Sequence, residues 1–265
     1  MKNVASVILT VLMTQLSLSQ AITVHRKDSA SVSFQLSQID SITFSIRYDT
    51  IPSQGLLAYY RFNATANDAS GTGHDGTAVN IENGVDRFGN PNGSFRFNGI
   101  NSKVTVTGFP ALIDKFSYSC WIKTIGNNWN NNIQSFGLLG TGPSNHTWGF
   151  GYHNISRRWD LWDTTPDSWY TDYSSYATNN LLDWTYVTVV YSTTQKYLYV
   201  NGVLLNSKSV VLPLRFRGDN TLVIGNFQGT VPNEQAFNGY IDDIRIYSRA
   251  VSSSEVQALY HEGGW

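Results

Sequence analysis

Three observations in the 265-residue sequence predict an all-β fold in which two antiparallel sheets pack face to face. From Leu56 onward, short runs of alternating apolar and polar residues recur between Gly, Asn and Asp clusters, the spacing of a sandwich. The composition supplies 15 Tyr, 13 Phe and 8 Trp for strands and 22 Gly for turns. Finally, WTYVTVVY (residues 184–191) is followed by KYLYVNGVLL, where Asn201-Gly202 sits between apolar flanks. Both residues tolerate positive φ, so residues 184–205 are expected to form an antiparallel meander.

The opening segment, MKNVASVILTVLMTQLSLSQA, has Lys2, an apolar run from Val4 to Met13, and Ser19 and Ala21 at the spacing of a signal-peptidase site. Residues 1–21 are therefore expected to be a signal peptide, which makes the chain secreted, extracellular or at the cell surface. No later segment approaches the ~18 consecutive apolar residues of a membrane span. Residues 22–48 form a unit of their own, with Ile22 and Val24, then Val32, Phe34 and Leu36, then Ile42, Phe44 and Ile46 alternating with polar neighbours. Two or three strands are marginal alone, so this small β appendage is expected to lean on the main domain or on another protein. Residues 49–55, with Pro52 and Gly55, read as a linker, and residues 56–265 as the main domain.

One helix is expected, from about Ser253 to His261. Ser252 can cap the amide of Glu255 while Glu255 reaches back, Val251 can staple onto Val256, and Gly263 and Gly264 stop the turn.

The formal net charge of −1 provides no basic face for phosphates, which sets nucleic acid aside. Cys120 is the single cysteine, so an intramolecular disulfide and a cysteine-based zinc cage are excluded. Alternation in FSYSCWIK groups it with Phe116, Tyr118 and Ile122 as a buried, inert thiol.

Near the C-terminus, FNGYIDDIRIYSRAVSSSEVQALY alternates like a strand yet carries the adjacent carboxylates Asp242 and Asp243. A buried carboxylate costs several kcal/mol unless something pairs with it. A positive group is expected there.

That segment, together with LLAYYRFNATANDASGTGHDGT, DRFGNPNGSFRFNG, FSYSCWIKT and WTYVTVVYSTTQKYLYVNGVL, resembles the laminin-G-like jelly-roll domains of the concanavalin A-like lectin/glucanase superfamily over residues 56–260. The resemblance implies a two-sheet antiparallel jelly-roll sandwich with a face used for ligands. It also implies a structural calcium shared by an early Gly loop and a late apolar-Asp-x-apolar-Arg strand. Carried over by position, the metal ligands are Asp68, a carbonyl near Gly73, and Asp242, with Asp243 a weaker candidate. An EF-hand is excluded, because the twelfth loop position is Val79 rather than a bidentate Glu. The alternative for these residues is that Asp68 opens a turn and Asp242 accepts backbone amides.

Retaining glycosidases need two carboxyls about 5 to 5.5 Å apart. The four glutamates, Glu82, Glu234, Glu255 and Glu262, lack an Asp two residues on, so catalysis of that type is not expected. Neither a Gly-x-Ser-x-Gly elbow nor a His-Glu-x-x-His pair is present. His74 and His146 read as loop residues without a metal-spaced partner. Asn63, Asn92, Asn145 and Asn154 fit the glycosylation sequon.

Seven of the eight tryptophans fall between Trp121 and Trp184. In RRWDLWDTTPDSWYTDY, aromatic faces suited to sugar C–H patches alternate with carboxylates suited to hydroxyls. Core packing explains these rings equally well, although Trp159 and Trp162 fall on opposite strand faces. The candidate ligand-binding residues are Trp162, Trp169, Tyr170, Asp167 and Asp172. The expected function is a non-catalytic, calcium-stabilised module that binds a polysaccharide or surface glycan. A protein-interaction or adhesion domain for an extracellular protein is the alternative, and a glycoside hydrolase a more distant one.

Overall fold

Alternation sets the architecture of the computed structural model, which describes residues 21–26, 29–35, 50–125, 133–140, 146–153, 158–164, 169–174, 181–214, 216, 219–226 and 236–265. The chain divides into two units, Met1–Arg47 and Tyr48–Trp265. In the first, β1 (Ala21–Arg26) and β2 (Ser29–Gln35) form an antiparallel pair with Ile22 opposite Phe34 and Val24 opposite Val32. The expected signal peptide up to residue 20, and the alternating stretch from Ile42 to Ile46, lie outside the described residues.

The second unit is a jelly-roll sandwich of antiparallel strands. It begins with β3 (Leu56–Tyr60), β4 (Thr77–Val79), β5 (Glu82–Gly84), β6 (Ser94–Asn98), β7 (Lys103–Thr107) and β8 (Phe116–Thr124). The aromatic segment forms β9 (Ile133–Gly140), β10 (His146–His153), β11 (Arg158–Thr164) and β12 (Trp169–Ser174). The meander is β13 (Thr185–Tyr191), β14 (Gln195–Val200) and β15 (Val203–Ser209), and β16 (Thr221–Ile224) and β17 (Asn238–Tyr247) complete the strands. One sheet runs β12-β11-β10-β9-β16-β7-β4, and the other β15-β14-β13-β8-β17-β6-β5 with β3 paired to β17. His146, expected in a loop, opens β10 instead.

Inward side chains alternate as period-two strands require. Phe95 and Phe97, Tyr118 and Ile122, and Ile241, Ile244 and Ile246 from one sheet meet Val104, Val106, Phe150, Trp159 and Ile224 from the other. Cys120 belongs to this core, and burial pushes its thiol well up from the usual range. Asn201 and Gly202 take φ of 49° and 75° between β14 and β15, the paired positive values that a tight hairpin demands.

The eight-stranded sheet has a second apolar layer on its outer side. Trp121, Tyr186, Val190, Tyr199 and Tyr247 are covered there by Val251, Val256 and Leu259. The last two sit on α1 (Ser253–Tyr260), whose N-terminus carries the full reciprocal cap between Ser252 and Glu255. Arg249 adds hydrogen bonds of 2.8 and 2.6 Å to the same glutamate. The helix therefore roofs part of one sheet and leaves a mixed polar and aromatic strip on the rest of that face.

Candidate functional site

Strict alternation would put Asp242 and Asp243 on opposite faces of β17. A bulge intervenes between Asp242 and Arg245 in the pairing with β8, and Asp243 takes a φ of 47°. Aspartate enters this left-handed region more readily than most residues. Both carboxylates consequently reach one guanidinium: Arg87 Nη1 lies 3.0 Å from Asp242 Oδ2 and 2.5 Å from Asp243 Oδ2. The arginine comes from the β5–β6 loop, and its side chain is only 3% exposed. Its guanidinium also rests against the Phe88 and Trp121 rings, at 4.4 and 4.8 Å.

The remaining acceptors are filled locally. Tyr59 Oη donates to Asp243 Oδ1 at 2.6 Å, and the Asp243 amide donates to Asp242 Oδ1 at 2.8 Å. Arg245 lies 3.8 Å over the Tyr59 ring and pairs with Glu262 at 2.7 Å. One guanidinium faces two acids here. Burial first, and then the charge of Asp243, raise Asp242 to about 8 against the opposing pull of Arg87.

Asp68 sits elsewhere. Its Oδ1 accepts from the amides of Tyr59 and Ser70, both at 2.9 Å, and its Oδ2 from Thr72 Oγ1 at 2.8 Å and the His74 amide at 3.1 Å. Partial burial acts to raise this carboxyl, but hydrogen bonds from Ser70, Tyr59 and Thr72 outweigh it and bring it down to about 2. The Tyr59 amide and carbonyl both bond to the 68–69 segment, so Asp68 occupies the edge of β3 that faces away from β17. With strands about 4.8 Å apart, Asp68 stands roughly 10 Å from β17.

Two ligands of one calcium lie within about 5 Å of each other, because each oxygen is 2.3–2.6 Å from the ion. Asp68 and Asp242 therefore lie on opposite sides of β3, each with protein donors of its own. Four protein donors saturate Asp68, β3 intervenes, and Arg87 holds Asp242. Among the described residues, no three His, Cys, Asp or Glu side chains converge to hold a metal. Gly73 serves its loop through a φ of 83°. Arg87 carried no motif in the sequence. Its signal was only the demand of two adjacent acids for a cation.

Of the aromatic candidates, Asp167 lies outside the described residues, and for Trp162, Trp169, Tyr170 and Asp172 the description stops at the backbone. β11 and β12 pair Trp162 with Thr171, Asp163 with Tyr170 and Leu161 with Asp172. Two neighbours in the same segment are core residues. Trp159 is fully buried and stacks on Phe150 at 5.8 Å. Asp163 joins Lys196 Nζ at 2.7 Å and Tyr191 Oη at 2.9 Å between the two sheets.

A second constellation, missed in the sequence, lies on the outer face of the eight-stranded sheet. Glu82 pairs with Arg96, Arg96 with Tyr240, and Tyr240 with Lys123, across β5, β6, β17 and β8. Thr185 pairs with Ile122, so Trp184 continues the row one step beyond β13. Their alternates Phe95, Phe97, Ile241 and Ile122 fill the core, which turns this row outward. Glu82 is exposed and the other four are half-buried. Trp184 and Tyr240 have ring centroids 6.3 Å apart, and the Arg96 guanidinium lies 5.7 Å over Tyr240. A Cβ on Gly84 would come within 2.5 Å of the Tyr240 ring, so that glycine makes the room in which the ring lies. Only pairwise registry across four strands creates the row, and no contiguous motif encodes it.

Two antiparallel sheets packed face to face in a jelly roll define the class as a β-sandwich. Residues 97–257 match the Laminin_G_3 family, described as the Concanavalin A-like lectin/glucanases superfamily, and the chain belongs to it. Comparison with curated proteins gives no match. Among solved structures, domain 4 of AbnA, a GH43 extracellular arabinanase from Geobacillus stearothermophilus in complex with arabinotriose, is 22% identical. The match covers 77% of this chain and 98% of that one at a TM-score of 0.60. The botulinum neurotoxin serotype D binding domain is 17% identical over 80% of this chain and 52% of its own, with a TM-score of 0.61. The binding domain of botulinum neurotoxin DC in complex with SialylT is likewise 17% identical, over 79% and 52%, with a TM-score of 0.57. This chain spans about half of those toxin domains. At such identities the likeness establishes the fold. Among the described residues no helix is long and apolar enough to cross a membrane.

Proposed function

We propose that the protein is an exported, non-catalytic module that binds a polysaccharide or surface glycan. The observation that carries this reading is the outward row from Glu82 to Trp184, where two aromatic rings stand among groups able to exchange hydrogen bonds with sugar hydroxyls. Sugars present both apolar C–H patches and hydroxyls, and the row offers a counterpart to each. An arabinotriose complex of the similarly folded arabinanase domain supports the choice of ligand class. The leader-like opening segment supports export.

The non-catalytic reading rests on the use made of the paired acids. Asp242 and Asp243 are buried and spent on Arg87 and Tyr59, which leaves neither aimed at a glycosidic bond. Calcium is left out of the proposal, because the donors around Asp68 and Asp242 are already engaged. The test is a glycan array probed with the full chain, with calcium and with chelator, beside an assay for reducing-sugar release. Chelator-insensitive retention on a defined glycan without sugar release is expected. Retention by no glycan overturns the reading.

A further inference from the structure

The charges along the outer face of β17 are unevenly matched. Asp242, Asp243 and Arg245 all have charged partners. Toward the β5 end, Arg96 Nη2 donates to the Asn238 side chain at 2.9 Å, while its buried Nη1 has no hydrogen-bond partner. Lys123 flanks Tyr240 on the other side and, among the described residues, has no carboxylate within ion-pair distance. Glu82 is the one acid in the row, across the strand pair from Arg96. Desolvation pulls the arginine below its ordinary range, with Tyr240 and Glu82 opposing the shift. Two half-buried cations beside one ring, with no carboxylate in ion-pair contact with either among the described residues, leave this end of the face short of negative charge.

Strand spacing fixes the layout. Arg96 and Lys123 are two strands apart, roughly 10 Å, with the Tyr240 ring between them and Trp184 beyond Lys123. This order suits a sugar lying along the exposed edges of Tyr240 and Trp184 while an acidic substituent meets Arg96 or Lys123. Resting on the glycan reading above, we infer that the Arg96–Tyr240–Lys123–Trp184 row is the glycan subsite and selects an anionic sugar, one bearing a carboxylate or a sulfate ester. A neutral glycan can satisfy the rings, but it leaves the charges of Arg96 and Lys123 without an anion.

The test is calorimetric titration of the full chain with galacturonate, mannuronate and hyaluronan tetramers, each beside its methyl ester, and with a sulfated neutral oligosaccharide. At least one acidic or sulfated probe is expected to bind about tenfold tighter than its uncharged counterpart, the scale of one charge-assisted hydrogen bond. Arg96→Gln and Lys123→Gln should each lower the affinity for the acid more than that for the ester, so that most of the preference is lost, whereas Arg96→Lys should restore part of it. Tyr240→Ala should weaken acid and ester alike. Lys115→Gln, a change at an exposed lysine outside the row, should alter nothing. Preference for the uronates identifies a carboxylate, and preference for the sulfated probe identifies a sulfate ester.

Equal affinity for charged and uncharged forms, or a preference that survives both Gln variants, overturns the inference. If the array still retains a neutral glycan and Tyr240→Ala abolishes that retention, the wider reading stands without the anionic one. If no glycan is retained at all, both fall.

Discussion

The two ends of the outer face of β17 put similar residues to opposite uses. Around Asp242 the acids, arginines and aromatic rings close on one another, with Arg87 spanning two carboxylates and Trp121 buried beneath α1 and its neighbours. Around Tyr240, only three strand positions from the bulge residue Asp243, two cations and two rings remain half-exposed without a matching acid network. A charge cluster that satisfies itself contributes to folding, while one left short of a partner is available to a ligand. The comparison teaches that residue type does not separate scaffold from site. Completion of the hydrogen-bond and charge count does.

Removing Arg87 should sharpen the contrast most. Arg87→Ala leaves two buried acids facing each other and is expected to cost about 3 kcal/mol, lowering Tm by roughly 10 °C, because breaking one side of a buried pair strands the other. Thermal unfolding with and without added calcium checks this. Rescue of the variant by calcium would break the view that the guanidinium is the essential cation.

A pH profile is the next test. Burial and the neighbouring charge of Asp243 raise Asp242 from its ordinary 3.8 to about 8, so the folded state binds more protons than the unfolded chain across that range. Its contribution to stability is fully present below about 3.8 and is lost as pH rises toward 8. Asp242→Asn should flatten that part of a denaturant-midpoint profile.

Asp68 and Glu255 slope the other way. Hydrogen bonds to Asp68, and the Arg249 side chain beside Glu255, hold both carboxyls at about 2 in the folded chain. The stability they contribute is present above their unfolded values of 3.8 and 4.5, and is lost as pH falls toward 2. Glu255→Ala, which also breaks the helix cap, should cost about 1 kcal/mol at neutral pH in chemical denaturation. Least of all for stability, Lys123→Gln should shift unfolding by under about 0.5 kcal/mol, as partly exposed surface changes do. A large loss there would show that the row is part of the scaffold.

Much of the scaffold was legible along the chain. Period-two alternation fixed which side of β8, β13 and β17 faces the core, Asn201-Gly202 announced its hairpin, and Ser252 and Glu255 announced the helix cap. Each signal depends on neighbours within a few residues. The carboxylate pair correctly demanded a cation, but its partner is 155 residues away in sequence from Asp242. Asp68 and Asp242, expected to converge, are separated by β3. The aromatic segment suited a ligand face and core packing equally; Trp159 and Asp163 turn inward, and the Lys196 that Asp163 holds lies on the facing sheet.

The sequence alone determined the β13–β15 meander, the inward faces of β8, β13 and β17, the Asn201-Gly202 turn, the helix cap and the family, because local dihedral preference and alternation act over a few residues. Tertiary structure alone decided which cation meets the paired acids and which four strands place Glu82, Arg96, Tyr240 and Lys123 side by side. Charge partners and cross-strand rows depend on register between distant segments, and register is set by the packing of the whole sandwich.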